Sequence, residues 1–291
     1  MDTIRPPVPE PVKRELRQES GFGCCVCGFP FIEYHHIIPY SEETHFRPED
    51  MMALCPNCHS RVTANAMTIT EQCDYKKKPY NIKRGYVSGL LHCLSQVPII
   101  SFGSFGFLSE GILISIDEHP VLSLSMTDGR LEISCELYDE NNIHIASVVG
   151  NEWISHTPLP WDLQFKYRHI TIRQKNRDIR LVIDVQQEPI ILRADFWYNG
   201  ANLRLGKHGL SYKNKNISVR INNYCYIGMR ININSKNGTF SMLPVQNFKP
   251  SMMMPVDGFT VKYIVKKLNE LAEKRVPNIE KVLSKIHIDD I

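Results

Sequence analysis

The sequence predicts an α+β protein: a short N-terminal unit of hairpin and helices, an all-β domain, and a C-terminal helical segment. Three observations predict it. Cysteines and histidines crowd into Cys24-x-x-Cys27, Glu33-Tyr-His35-His36 and Cys55-x-x-Cys58-His59. From Ile99 onward, apolar residues alternate with polar ones, the pattern of half-buried strands. From residue 257 the apolar spacing is helical again.

The bulk numbers bound the answer. A chain of 291 residues accommodates two domains, and 43% hydrophobic content supports a sizeable core. The apolar runs are too short for a bilayer span, and the start Met1-Asp-Thr-Ile-Arg-Pro-Pro has no apolar signal core. The expectation is a cytoplasmic chain with no membrane partner. Nine cysteines, four of them in CxxC pairs, favour metal binding over disulfides.

Element by element, residues 6–11 are proline-rich and expected to be extended. Val12 and Leu16 share a helix face that Gly21 ends. Residues 29–39 are apolar and can form a hairpin. After Cys58 the chain can turn helical through His59, Val62 and Met67. The turn Lys76-Lys77-Lys78-Pro79 leads into a helix with Ile82, Tyr86, Leu90 and Leu94 on one stripe. Pro98 closes a first domain of residues 1–97.

In the second domain, residues 98–250, alternation is clear at Ile112/Ile114/Ile116, Leu131/Ile133/Cys135/Leu137, Ile190/Leu192/Ala194/Phe196 and Met229/Ile231/Ile233. Turn signals separate the runs: Asp128-Gly129, Asn141-Asn142, Asn199-Gly200 and Asn237-Gly238. About ten strands are expected, as a sandwich or, alternatively, a β-solenoid. Gly103-Ser-Phe-Gly106 lacks the lysine of a phosphate loop and reads as a turn. In residues 251–291, Ile264, Leu268 and Leu271 form one helical stripe, and Ile279, Val282, Leu283 and Ile286 another, parted by Pro277. These stripes suit packing on the β domain, or a dimer contact.

Net charge is +3, yet the charges are segregated. Residues 99–161 carry one basic and nine acidic side chains, and residues 162–250 carry fifteen basic and five acidic ones. Such asymmetry suits a polyanion, unless the segments neutralise each other within one fold.

The chemistry lies between Cys24 and His59. Cys24, Cys27, Cys55 and Cys58 can complete a closed tetrahedral Zn²⁺ site, whose staple would stabilise a segment too small for its own core. Adjacent His35 and His36 on an extended segment point to opposite faces. One can ligate a metal while the other faces a different group. His59 stands at a fixed distance from Cys58 and can reach back to the hairpin. Two imidazoles on one divalent ion leave positions open for water and phosphate oxygens. A neighbouring imidazole suits general-base work. Glu33 either bonds a ligand histidine or is a solvated acid. His45 reads as structural. Lys76, Lys77, Lys78, Lys83 and Arg84 can grip phosphates or form a solvated face. Cys25, His92, Cys93, Cys135 and Cys225 read as packing residues.

On these residues the chain resembles the HNH endonuclease family. The matching stretches are Cys24-x-x-Cys27, Ile32-Glu-Tyr-His-His-Ile-Ile-Pro39 and Leu54-Cys-Pro-Asn-Cys-His59, within about residues 20–70. The resemblance implies a zinc-stapled ββα-metal finger that hydrolyses DNA phosphodiester bonds. It implies His36 as general base, His35 and His59 as ligands of Mg²⁺ or another divalent ion, and the four cysteines as structural zinc ligands. Met51 stands where the family usually has an Asn that braces the base, so another group must orient His36. A non-catalytic zinc-dependent DNA-binding module is the alternative. By analogy with relatives that carry appended domains, the β domain is expected to recruit or regulate the nuclease through a protein or ligand, in restriction or anti-phage defence. A homo-oligomer fits as well.

Overall fold

The computed structural model describes residues 6–157, 160–245 and 252–255. The helical stripes expected over 257–291 lie outside the described residues. The chain forms two compact units. One comprises residues 1–89, 154–167 and 171–178, and the other residues 90–153, 168–170 and 179–291. Among the described residues, no helix is long and apolar enough to cross a membrane.

The first unit begins with helix α1 (Glu10–Glu19), which has Pro9 at its N-cap and Pro11 in its first turn. The extended proline stretch therefore ends earlier than expected, because the first turn of a helix tolerates proline. Leu16 is buried, and Gly21 at φ +65° turns the chain away from the helix. Arg17 is also buried. It holds Asp162 through Nε (2.7 Å) and Nη2 (3.0 Å), and its Nη1 donates to the Tyr34 hydroxyl (2.6 Å). The helix is thus fixed to the strand at Asp162–Phe165.

Strands β1 (Glu33–His36) and β2 (Met51–Leu54) pair antiparallel, with Glu33 opposite Leu54 and His36 opposite Met51. All four residues of β2 are buried, so both faces are covered and the run is uninterruptedly apolar. Helix α2 (Pro56–Thr63) follows at once. It does not continue to Met67 as expected, since Asn65 adopts φ +56°. Met67 still packs with Cys24, Cys58 and Leu54.

Helix α3 (Ile69–Lys77) starts on a capping box between Thr68 and Glu71. Helix α4 (Tyr80–Arg84) is a short turn closed by Gly85 at φ +83°. The single helix expected through Ile82, Tyr86, Leu90 and Leu94 does not form. Gly85 ends it, Tyr86–Leu90 is a strand, and Ile82, Leu90 and Leu94 are exposed. Asn81, fully buried, donates to the carbonyls of Gly21 and Gly28. Gly28 sits at φ +78° with no room for a Cβ beside Asn81, so the first knuckle is locked onto α4.

The second unit is built from two sheets. In the first, Gly111–Ile116, His119–Thr127, Arg130–Tyr138 and His144–Val149 follow one another antiparallel, and Met229–Asn234 joins parallel to Gly111–Ile116. The second sheet centres on Ile190–Tyr198, Ile99–Phe102, Phe105–Leu108 and Tyr224–Ile227, with a meander through Ala201–Gly206, Gly209–Lys213 and Ser218–Ile221. Strand Met252–Pro255 adds to its edge. Ile190–Tyr198 lies against Arg130–Tyr138 of the first sheet, and Tyr198 stacks on His119 at 4.4 Å. Pairings between distant segments, such as Phe105–Leu108 with Tyr224–Ile227, replace the repeat-on-repeat stacking of a solenoid.

Seventeen strands lie between Ile99 and Pro244 among the described residues, more than the ten or so expected over residues 98–250. Strands such as Ile99–Phe102 and Phe105–Leu108 are buried on both faces and show no alternation to read. The turns agree with expectation. Asp128-Gly129 (φ +51°, +72°) and Asn199-Gly200 (φ +49°, +76°) have the paired positive φ of hairpin turns. Gly103 (φ +66°) turns between two paired strands. Part of the charge asymmetry is internal, since Arg180 of the basic segment pairs with Glu140 of the acidic one at 2.8 Å.

Candidate metal centre and histidine site

Two knuckles bring four sulfurs together. The Cys24 N–H donates to the Phe29 carbonyl and the Gly28 N–H to the Cys24 carbonyl, which curls the first knuckle. Cys55 caps α2, its sulfur accepting from the Cys58 N–H at 3.5 Å. The ligand atoms of Cys24, Cys27, Cys55 and Cys58 all lie within 4.8 Å of one another, the one such cluster of three or more His, Cys, Asp or Glu among the described residues.

The set fits Zn²⁺. Four sulfurs at about 2.3 Å from a tetrahedral ion stand about 3.8 Å apart, and Cys27 Sγ lies 3.6 Å from Cys55 Sγ and 3.9 Å from Cys58 Sγ. Without a cation these thiols cannot all ionise together. A hydrogen bond from Cys27 draws the Cys24 thiol down to about 5, while burial pushes Cys58 up to about 12. Cys25 stands apart from the set, as expected. Its N–H donates to the Ala53 carbonyl, and burial pushes its thiol up to about 12.

The hairpin separates the two histidines. His35 lies on the face of β1 that meets α2, its ring 5.1 Å from that of His59. His36 turns to the other face and is 6% exposed, surrounded by Tyr40, His45 and Phe46. Three hydrogen bonds define the rings. The His36 Nε2–H donates to the His45 carbonyl at 3.0 Å. The His59 Nδ1–H donates to Glu33 Oε2 at 2.6 Å. The His35 Nε2–H donates to Gln72 Oε1 at 3.1 Å. A carbonyl, a carboxylate and an amide oxygen only accept, so each bond fixes its tautomer. In the neutral rings the nitrogens that carry no proton are therefore Nδ1 of His35, Nδ1 of His36 and Nε2 of His59. The His35 and His59 rings thus lie side by side, edge to face, where β1 meets α2.

The partners explain several sequence questions. Glu33 serves His59, not the nearer-in-sequence His35. Met51 is fully buried opposite His36, and the backbone of His45 holds the ring. The His45 side chain is itself structural, as expected, with Nε2 bonded to the Ile38 carbonyl at 3.1 Å. Asp50 is engaged by Arg47 Nε at 2.6 Å. Gln72 was not legible in advance, because nothing in the sequence links α3 to β1.

The basic residues divide. Lys76 pairs with Glu19 at 2.6 Å. Arg84 donates to the Tyr86 carbonyl and lies over the Tyr86 ring at 4.2 Å. Lys77, Lys78 and Lys83 line one open cavity of about 770 Å³ together with Glu71, Asp74 and Tyr75.

No curated protein and no solved structure matches the chain. Residues 24–65 match the family described as HNH endonuclease, and the four clustered cysteines within that span agree with a zinc site, so this segment of the chain is an HNH region.

Proposed function

We propose that this protein is a metal-dependent DNA endonuclease that hydrolyses phosphodiester bonds, with His36 as general base. The observation that supports this best is the bond from His36 Nε2–H to the His45 carbonyl, which leaves Nδ1 as the atom that takes a proton from water. The hydroxide so formed attacks phosphorus, the P–O3′ bond breaks, the 3′ oxygen takes up a proton from solvent, and a 5′ phosphate remains. A divalent ion on His35 and His59, Mg²⁺ or another, would supply positive charge where the phosphate oxygens gain negative charge. Glu33 orients His59 by accepting its Nδ1–H, which leaves Nε2 as the nitrogen that would meet the ion. A zinc on Cys24, Cys27, Cys55 and Cys58 would hold the hairpin and α2 in register, outside the chemistry. Lys77, Lys78 and Lys83 contact the DNA backbone, and the β unit recruits or regulates the nuclease.

The test is nicking of supercoiled plasmid by the full chain with Mg²⁺ or Mn²⁺. Cleavage by the wild type and its loss in His36→Ala, with zinc content unchanged, is the expected result. DNA binding with no cleavage under any divalent ion would instead support a zinc-dependent DNA-binding module.

A further inference from the structure

Helix α3 lies beyond the matched residues 24–65, yet one of its side chains reaches the histidine site. Gln72 is 4% exposed. Burying so polar a side chain is costly unless both ends of its amide are bonded, and both are. Its Nε2 donates to the Met67 carbonyl at 3.3 Å, and its Oε1 accepts from His35 Nε2–H at 3.1 Å. The first bond settles which way the amide faces, so the oxygen is the end presented to His35. The platform is rigid. The Thr68–Glu71 capping box fixes the first turn of α3, and the Gln72 N–H closes onto the Thr68 carbonyl at 3.0 Å. Met67 packs into the core that contains Cys24, Cys55 and Cys58. A chain of contacts therefore runs from the cysteine cluster through Met67 and Gln72 to His35.

We propose that Gln72 is a positioning residue. It holds His35 as the Nε2–H tautomer, so that Nδ1 is the nitrogen presented to a divalent ion, and it couples the geometry of His35 to the zinc-stapled core. The claim about the ion rests on the reading of His35 and His59 as its ligands; the claim about the tautomer does not. A glutamine that merely satisfied the core would leave the ring nitrogens of His35 indifferent to its replacement.

The experiment uses the zinc-loaded full chain, with Gln72→Met to remove the acceptor at similar volume and Gln72→Glu to retain one. Long-range proton–nitrogen spectra of the His35 ring, at a pH where the ring is neutral, report the tautomer. Titration calorimetry with Mn²⁺ reports affinity. The wild type is expected to show Nε2–H at His35. Gln72→Met is expected to mix the tautomers and to weaken Mn²⁺ binding by about 10–100-fold, as loss of a partner behind a ligand histidine does. Gln72→Glu is expected to restore the tautomer. An unchanged His35 tautomer in Gln72→Met overturns the proposal, as does Nδ1–H in the wild type. A wild type that binds no Mn²⁺ overturns the ligand reading, while the tautomer comparison still decides the positioning. If Gln72→Met does not fold, Gln72→Asn, whose shorter amide withdraws from His35, carries the same comparison.

Discussion

His36 Nε2 stands 3.0 Å from the backbone carbonyl of His45, across nine residues of loop. Because the acceptor is main chain, no substitution at position 45 removes it directly. The proposed base is therefore oriented by the fold of the loop between β1 and β2. His36→Ala is expected to lower plasmid nicking by about 10²–10⁴-fold, the usual contribution of a general base, with one zinc per chain retained. His45→Ala, which loses the ring's ties to the Ile38 carbonyl and the Arg47 N–H and its contact with the His36 ring but keeps the backbone acceptor, should cost less. Equal rates for His36→Ala and the wild type would remove His36 from the chemistry.

The cysteine cluster makes a separate prediction. Cys58→Ala, or prolonged chelation, should release the zinc and unfold the hairpin and α2, because a segment this small depends on metal binding for much of its folding free energy. Metal analysis should fall from one zinc per chain to none, and amide exchange over residues 33–63 should accelerate to the rate of unstructured peptide. Protection that survives zinc loss would contradict a structural role.

Arg17 and Asp162 form a buried pair, with side chains only 5% and 4% exposed. Replacing Asp162 with Ala strands the guanidinium, whose remaining partners are Tyr34 and Glu10. A loss of about 3–5 kcal/mol is expected, read as a lower midpoint of denaturant unfolding. A loss under about 1 kcal/mol would mean the site relaxes to admit water.

Alkaline pH should weaken the β unit. Burial pushes the thiols of Cys135 and Cys225 up to about 12 from an ordinary 9.0. The unfolded chain therefore releases these protons first as pH rises. Stability is fully present below pH 9 and falls between pH 9 and 12, by as much as about 4 kcal/mol per thiol. Cys135→Ala and Cys225→Ala should each flatten that decline, measured by denaturant unfolding across the range. Identical pH curves for wild type and variants would show that other groups set it.

The sequence by itself determined the α+β class, the β turns and the inventory of cysteines and histidines. CxxC pairs, adjacent histidines and Asn-Gly or Asp-Gly turns are local patterns whose chemistry depends on neighbours in the chain. Alternation likewise revealed the strands that have one covered face, such as Arg130–Tyr138. It missed Phe105–Leu108, where both faces are buried and the pattern is flat. It also ran a helix through Gly85, where a left-handed residue stops it.

Tertiary structure alone decided which partner each histidine keeps. Gln72 holds His35, the His45 carbonyl holds His36, and Glu33 holds His59 rather than His35. Residues 154–167 likewise joined the N-terminal unit through space, where Asp162 meets Arg17 across 145 positions. Such pairings are set by how strands and helices pack once their apolar faces are buried. A hydrogen bond between residues far apart in the chain leaves no periodicity to read, and it appears only when the core brings its two ends within about 3 Å.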